Sequence, residues 1–154
     1  MIRVLFVCLG NICRSPMGEF MLKDRVAREG LADRFLIASA GTSAEEEGNA
    51  VYPPARAELA RHGISCVGKR ARKLTVRDYS ENDYILAMES RNIAAMLRIF
   101  GGDPQGKVFR LLDFSSRPRD IADPWYTGNF SLTFADIEEG IEAFLQYLRK
   151  MKKV

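Results

Sequence analysis

The sequence predicts an α/β fold on a parallel sheet, and three observations predict it. The chain opens on an apolar, β-branched run, Ile2–Val7, that leads directly into a tight loop and a proline-opened helix. Further short apolar runs at Phe35–Ala38, Asp83–Met88 and Val108–Leu112 alternate with segments of helical periodicity. No repeat, low-complexity tract or linker interrupts this alternation, so residues 1–154 are expected to form one doubly wound, three-layer domain with helices on both faces of a four-stranded sheet.

The elements follow in order. After Ile2–Val7 and its loop, Pro16 opens a helix over residues 16–29, with Met17, Phe20, Met21 and Val26 at helical spacing and Gly30 at its end. Ser15 stands where an N-cap belongs. Phe35–Ala38 is the second strand and closes on Ser39-Ala40-Gly41. Residues 42–52 are polar and carry Glu45-Glu46-Glu47; both a solvated turn and a substrate-facing rim fit them. Pro53-Pro54 starts a helix that ends at His62-Gly63, and Cys66 follows as a structural loop residue. A histidine in that place serves the helix dipole. The basic run Lys69–Lys73 reads as a solvated face. The third strand, Asp83–Met88, precedes a helix Asn92–Phe100 with Ser90 as its cap and Gly101-Gly102-Asp103-Pro104 as its breaker. After the fourth strand, the last long helix covers about Phe134–Lys152, with Ile137, Ile141, Phe144, Leu145 and Leu148 on one face.

Composition narrows the function. The 154 residues are 47% apolar and 28% charged, with a net charge of +3 that falls far short of a nucleic-acid footprint. No stretch approaches the roughly 20 apolar residues of a membrane span, and no signal peptide is expected. Three cysteines and one histidine lack metal-ligand spacing, so neither a metal, a cofactor nor a disulfide scaffold is expected, and a reducing cytoplasm is the expected compartment.

The chemistry is concentrated in Cys8-Leu9-Gly10-Asn11-Ile12-Cys13-Arg14-Ser15-Pro16. Successive loop amides at the positive end of a helix form an anion site. A thiolate beside that field is stabilised by the charges that hold the anion. Arg14 adds a planar fork that can grip two phosphoryl oxygens, and Gly10 admits close approach of backbone to ligand. A nucleophile, a cradle and a clamp within eight residues point to attack on a phosphoryl group. The leaving oxygen then needs a proton from elsewhere. Asp123, before Pro124 and between the fourth strand and last helix, could supply it; Asp113 and Asp120 are positional rivals.

Residues 8–16 closely resemble the phosphate loop of the low-molecular-weight protein tyrosine phosphatases. Ser39-Ala40-Gly41-Thr42, Arg70-Ala71-Arg72-Lys73-Leu74 and Asp123-Pro124-Trp125-Tyr126 fall in that family's order, and the similarity runs from Ile2 to about Leu148. The resemblance implies a flavodoxin-like strand order 2-1-3-4. It also implies hydrolysis of phosphotyrosine through a phosphocysteine on Cys8, with Arg14 as clamp and Asp123 as acid and then base. Leu9, Gly10, Asn11, Ile12, Cys13 and Ser15 would form the phosphate site, Trp125 and Tyr126 its aromatic walls, and Ser39 its supporting network. Cys13 fits a small core filler as well as a redox partner that traps oxidised Cys8 as a disulfide, and the resemblance to relatives with this pair favours the redox role. The implied partners are a phosphotyrosine-containing protein and a cognate tyrosine kinase, with no nucleic acid and no membrane; a monomer is expected.

Three departures from the family pattern bear on peptide preference. Lys69 stands where many eukaryotic relatives have a histidine in the supporting polar network of Ser39, which alters that network; Glu45 stands where many have a rim tryptophan, which leaves one wall acidic, and Glu89 where an aspartate is common. Rival readings are an arginine phosphatase of the same fold and a non-catalytic phosphopeptide-binding module. Arginine phosphatases carry threonine at the position of Ile12, and a binding module needs no acid. Arsenate reductases of this loop need two further downstream cysteines, and only Cys66 is present.

Overall fold

A computed structural model describes residues 1–154. Four strands, β1 (Ile2–Cys8), β2 (Phe35–Gly41), β3 (Tyr84–Ala87) and β4 (Val108–Arg110), form one parallel sheet in the order β2-β1-β3-β4. The helices are α1 (Arg14–Arg28), α2 (Pro53–Arg61), α3 (Arg77–Glu81), α4 (Ser90–Phe100), α5 (Pro124–Thr127) and α6 (Phe130–Lys150). The predicted α/β class and strand order are thus observed.

Strand alternation divides the core in two. Val4, Phe6 and Cys8 of β1, with Tyr84 and Leu86 of β3, face the larger core shared with α1 and α6. Leu5, Val7, Ile85 and Ala87 face a smaller one with Leu74 and Met96. Cys8 therefore points toward the α1 side of the sheet. β1 lies between β2 and β3, where the order of strand addition reverses, and ligands of such sheets bind at the carboxyl end of that switch point. Cys8 is the last residue of β1.

Several predicted boundaries shift, each for a local reason. α1 starts at Arg14, so Ser15 lies inside the helix and is not its cap; its hydroxyl is engaged by Cys8 and Asn11. Glu89, not Ser90, caps α4, through a reciprocal bond pair with Asn92. β4 stops at Arg110 because Leu111–Phe114 turns into a 3-10 helix. α6 begins at Phe130, four residues before the expected start, because the Asn129 side chain accepts the Leu132 amide. α3 and α5 are too short to carry a helical period and were not expected. No helix is long and apolar enough to cross a membrane.

Candidate active site

The loop after β1 is held by bonds that its neighbours in sequence cannot supply. Asn11 adopts a left-handed backbone (φ 58°) and is buried. Its side-chain NH2 donates to Ser15 Oγ at 2.7 Å and Ser39 Oγ at 3.0 Å, and its oxygen accepts the Arg72 amide at 3.0 Å. Asparagine tolerates this conformation better than most residues. Gly41, at the end of β2, makes room: a Cβ there would lie 2.8 Å from the Leu9 carbonyl oxygen and 3.1 Å from Asn11.

Cys8 Sγ lies 3.0 Å from Ser15 Oγ and 3.3 Å from the Ser15 amide, which donates to it. The hydroxyl has one proton and faces either the sulfur or the Ala40 carbonyl at 3.4 Å. With Cys8 ionised, Ser15 donates to the sulfur, and Asn11 supplies the bond that the Ser15 oxygen accepts. The chain continues inward: Ser39 Oγ donates to Glu19 Oε1 at 2.6 Å, and Glu19 Oε2 accepts from Lys23 at 2.6 Å. Lys69 Nζ donates to the Ser39 carbonyl at 3.0 Å and lies 3.5 Å from Glu19. Burial lowers the Lys69 pKa, and the Glu19 carboxylate opposes that shift.

Arg14 is only 2% exposed, yet its guanidinium joins three segments. Nη1 lies 2.5 Å from Glu89 and donates to the Ile121 carbonyl at 2.8 Å; Nη2 lies 3.3 Å from Asp123 Oδ2. The Ile121 amide in turn donates to the carbonyl of Met88, the residue after β3. Asp123 caps α5 by accepting the Trp125 amide at 3.0 Å.

These residues surround one cleft of about 180 Å³. Cys8, Leu9, Gly10, Ile12, Cys13, Arg14, Asp123, Trp125 and Tyr126 all line it, with Ser43, Glu45 and Glu46 from the polar segment, which is therefore a rim. Asn11, Ser15 and Ser39 sit behind it. Trp125 is half exposed and leans on Tyr52 with ring centroids 4.7 Å apart, while Tyr126 is largely free. Asp113 and Asp120 lie outside the cleft. Asp113 pairs with Arg110. For Asp120, burial would raise the pKa, but bonds from Ser90 and Arg110 outweigh it and hold the carboxyl below its usual range.

Cys13 is pushed up to about 12, first by burial and then by the charges of Cys8 and Asp123. It therefore stays a thiol beside Cys8. Cys66 is buried apart from the cleft, and burial raises its pKa too. His62 stacks on Phe134 and bonds Glu58, away from the cleft.

The basic run is not the solvated face that its composition suggests. Leu74 and Arg72 exchange backbone bonds with Gly41, Arg72 pairs with Asp78, and Lys69 reaches the Glu19 network. Glu19 and Arg72 were not foreseen as site residues. A glutamate beside the apolar positions Phe20 and Met21 is the available signal for the first; for the second it is the place of Arg72 in Arg70–Leu74, one of the segments that fall in the family's order.

Comparison with known proteins agrees with this geometry. The family model "Low molecular weight phosphotyrosine protein phosphatase" matches residues 3–154. The chain is 40% identical to the low molecular weight protein-tyrosine-phosphatase YfkJ of Bacillus subtilis, with both sequences fully covered. It superposes on the crystal structure of YfkJ with a TM-score of 0.93, covering 99% of this chain and 97% of that one at 41% identity. It is also similar to the Drosophila arginine phosphatase DARP, at a TM-score of 0.85 and 31% identity over 95% of this chain and 97% of that one.

Proposed function

The chain belongs to the low molecular weight phosphotyrosine protein phosphatase family, and from that premise we propose that it hydrolyses phosphotyrosine in proteins through a phosphocysteine on Cys8. The observation that carries the reading is the meeting in one cleft of Cys8 and Arg14, from the loop after β1, with Asp123, from a segment more than a hundred residues away.

The phosphate enters with its oxygens on the loop amides and the Arg14 fork. Arg14 is oriented beforehand by Glu89 and Ile121, so little reorganisation accompanies binding. Nη2 exchanges Asp123 for a phosphoryl oxygen, which frees the carboxyl to carry a proton. Cys8 Sγ attacks phosphorus; the S–P bond forms as the P–O bond to the tyrosyl oxygen breaks, and Asp123 protonates that oxygen. Asp123, now a carboxylate, takes a proton from water as the water attacks the phosphocysteine. The S–P bond breaks, inorganic phosphate leaves, and the Ser15 hydroxyl and amide receive the restored thiolate.

Leu9, Gly10, Ile12 and Cys13 wall the phosphate, and Trp125 and Tyr126 flank the aryl ring. Asn11 and Ser39 keep the loop in shape. After a peroxide has oxidised Cys8 to a sulfenic acid, Cys13 is the thiol that condenses with it, with loss of water. Its substrates are phosphoproteins, and a tyrosine kinase is the matching source of them. Three buried free cysteines support a reducing compartment such as the cytoplasm.

The test is hydrolysis of an aryl phosphate and a phosphotyrosine peptide, with chelator present, by wild type and Cys8→Ser. Turnover by wild type that is lost in the variant supports the reading; no turnover by reduced wild type overturns it. A phosphoarginine peptide in the same assay separates the activity named for DARP.

A further inference from the structure

The cleft that takes a phosphate has an acidic rim. Its charged side chains are Arg14, Glu45, Glu46 and Asp123. Arg14 is already shared between Glu89 and Asp123. Neither Glu45 nor Glu46 is paired with a lysine or arginine of the fold. Glu47, the third acid of the run, lies outside the cleft and accepts the Lys73 amide at 3.2 Å. The run is thus divided: one carboxylate supports the backbone and two border the cleft.

Their placement is built rather than incidental. The Glu46 stem lies against the phosphate loop, its Cγ 3.4 Å from where a Cβ on Gly10 would stand. Its carboxylate accepts from Asn49 at 2.6 Å. The Glu45 amide donates to Ser43 Oγ at 3.1 Å, which fixes the backbone at the rim. The chain as a whole is positive, so a general excess of acid does not account for this wall.

Two carboxylates lining the cleft repel an incoming phosphate dianion, and salt weakens that repulsion. For an isolated phosphotyrosine they only weaken binding. They become favourable when the substrate brings cations, because each meets an opposite charge while the loop and Arg14 hold the phosphate. We infer that Glu45 and Glu46 select phosphotyrosine flanked by lysine or arginine and disfavour it among acidic residues. The inference rests on the phosphatase reading above.

Three phosphotyrosine peptides of equal length test it, with arginine, alanine or glutamate on both sides of the phosphotyrosine. Phenyl phosphate, which has no flanking residues, accompanies them. Wild type is expected to favour the arginine peptide over the glutamate peptide by about tenfold in kcat/KM, mainly through KM, with the ratio shrinking as salt is added. In E45Q/E46Q the ratio is expected to fall to about twofold. Because the readout is a ratio within each protein, a change in overall activity does not obscure it. A wild-type ratio near one, or a ratio that the double variant retains, overturns the inference alone. Wild type inert toward phenyl phosphate and all three peptides overturns the phosphatase reading, and the inference with it.

Discussion

Asn11 and Arg72, 61 residues apart, are joined by a 3.0 Å bond from the Arg72 amide to the Asn11 side-chain oxygen. That bond ties the phosphate loop to the basic run beside the end of β2. With its NH2 on Ser15 and Ser39, the Asn11 side chain serves three buried partners from a left-handed backbone.

Two substitutions separate those contributions. Asn11→Ala removes three bonds, leaves the Arg72 amide without its acceptor and keeps the left-handed backbone, and is expected to cost about 3 kcal/mol of stability. Asn11→Gly loses the same bonds but not the φ preference, and is expected to be about 1 kcal/mol more stable than the alanine variant. Urea denaturation of both measures the difference. Equal stabilities would mean that the left-handed backbone carries no cost here.

The contrast between the loop and its supports explains what can be read in one dimension. Cys8, Gly10 and Arg14 are legible because a strand and a helix flank them closely and set their relation. Glu19, Arg72 and the Glu89–Arg14 pair depend on which segments the sheet order brings together, and that order is not written in local periodicity. Lys69–Lys73 misled for the same reason: its charge reads as solvent-facing until Gly41 is known to draw it to the sheet. The rim character of residues 42–52 depends on the packing of Glu46 against Gly10, which local composition does not specify.

Lys69 and Glu19 form a second pair whose worth can be measured. Glu19 is buried, and Lys69 lies 3.5 Å away with most of its side chain covered. Lys69→Met leaves the carboxylate with the Ser39 hydroxyl and with Lys23 as its one remaining cation, and is expected to cost about 2 kcal/mol. Adding Glu19→Gln is expected to recover part of that loss, giving a coupling of about 1 kcal/mol in a double-mutant cycle read by urea denaturation. A coupling of zero would assign Lys69 to packing alone.

Cys13 gives the fold a dependence on alkaline pH. Its thiol titrates at about 12 in the folded chain, against an ordinary 9.0, so above that lower value the unfolded state has released a proton that the folded state holds. The stabilisation is complete below pH 9 and declines by up to about 1.4 kcal/mol per pH unit as pH rises toward 12. Cys13→Ala lacks this slope. Comparing urea stabilities of the two proteins near pH 8 and pH 10.5, wild type is expected to lose about 2 kcal/mol relative to the variant. Taking the difference cancels the tyrosines and lysines that titrate in both. Parallel pH curves would mean that the Cys13 thiol is not held protonated.

Asp123 has two separable tasks, because one carboxylate oxygen accepts the Trp125 amide and the other faces Arg14. Asp123→Asn keeps an acceptor for the cap, so α5 should survive with a stability change below about 1 kcal/mol. It removes the proton that the leaving oxygen needs. Hydrolysis of a phosphotyrosine peptide is therefore expected to slow by about 10²–10⁴-fold in kcat. An aryl ester with a strongly acidic phenol should slow far less in its first step, since that phenolate departs without a proton. Its phosphocysteine should then accumulate, because the water that attacks it has lost its base, and a burst of phenol followed by a slow steady state is the expected trace. If both esters slow equally and no burst appears, the proton comes from another group, and the Arg14–Asp123 contact serves only to hold the guanidinium.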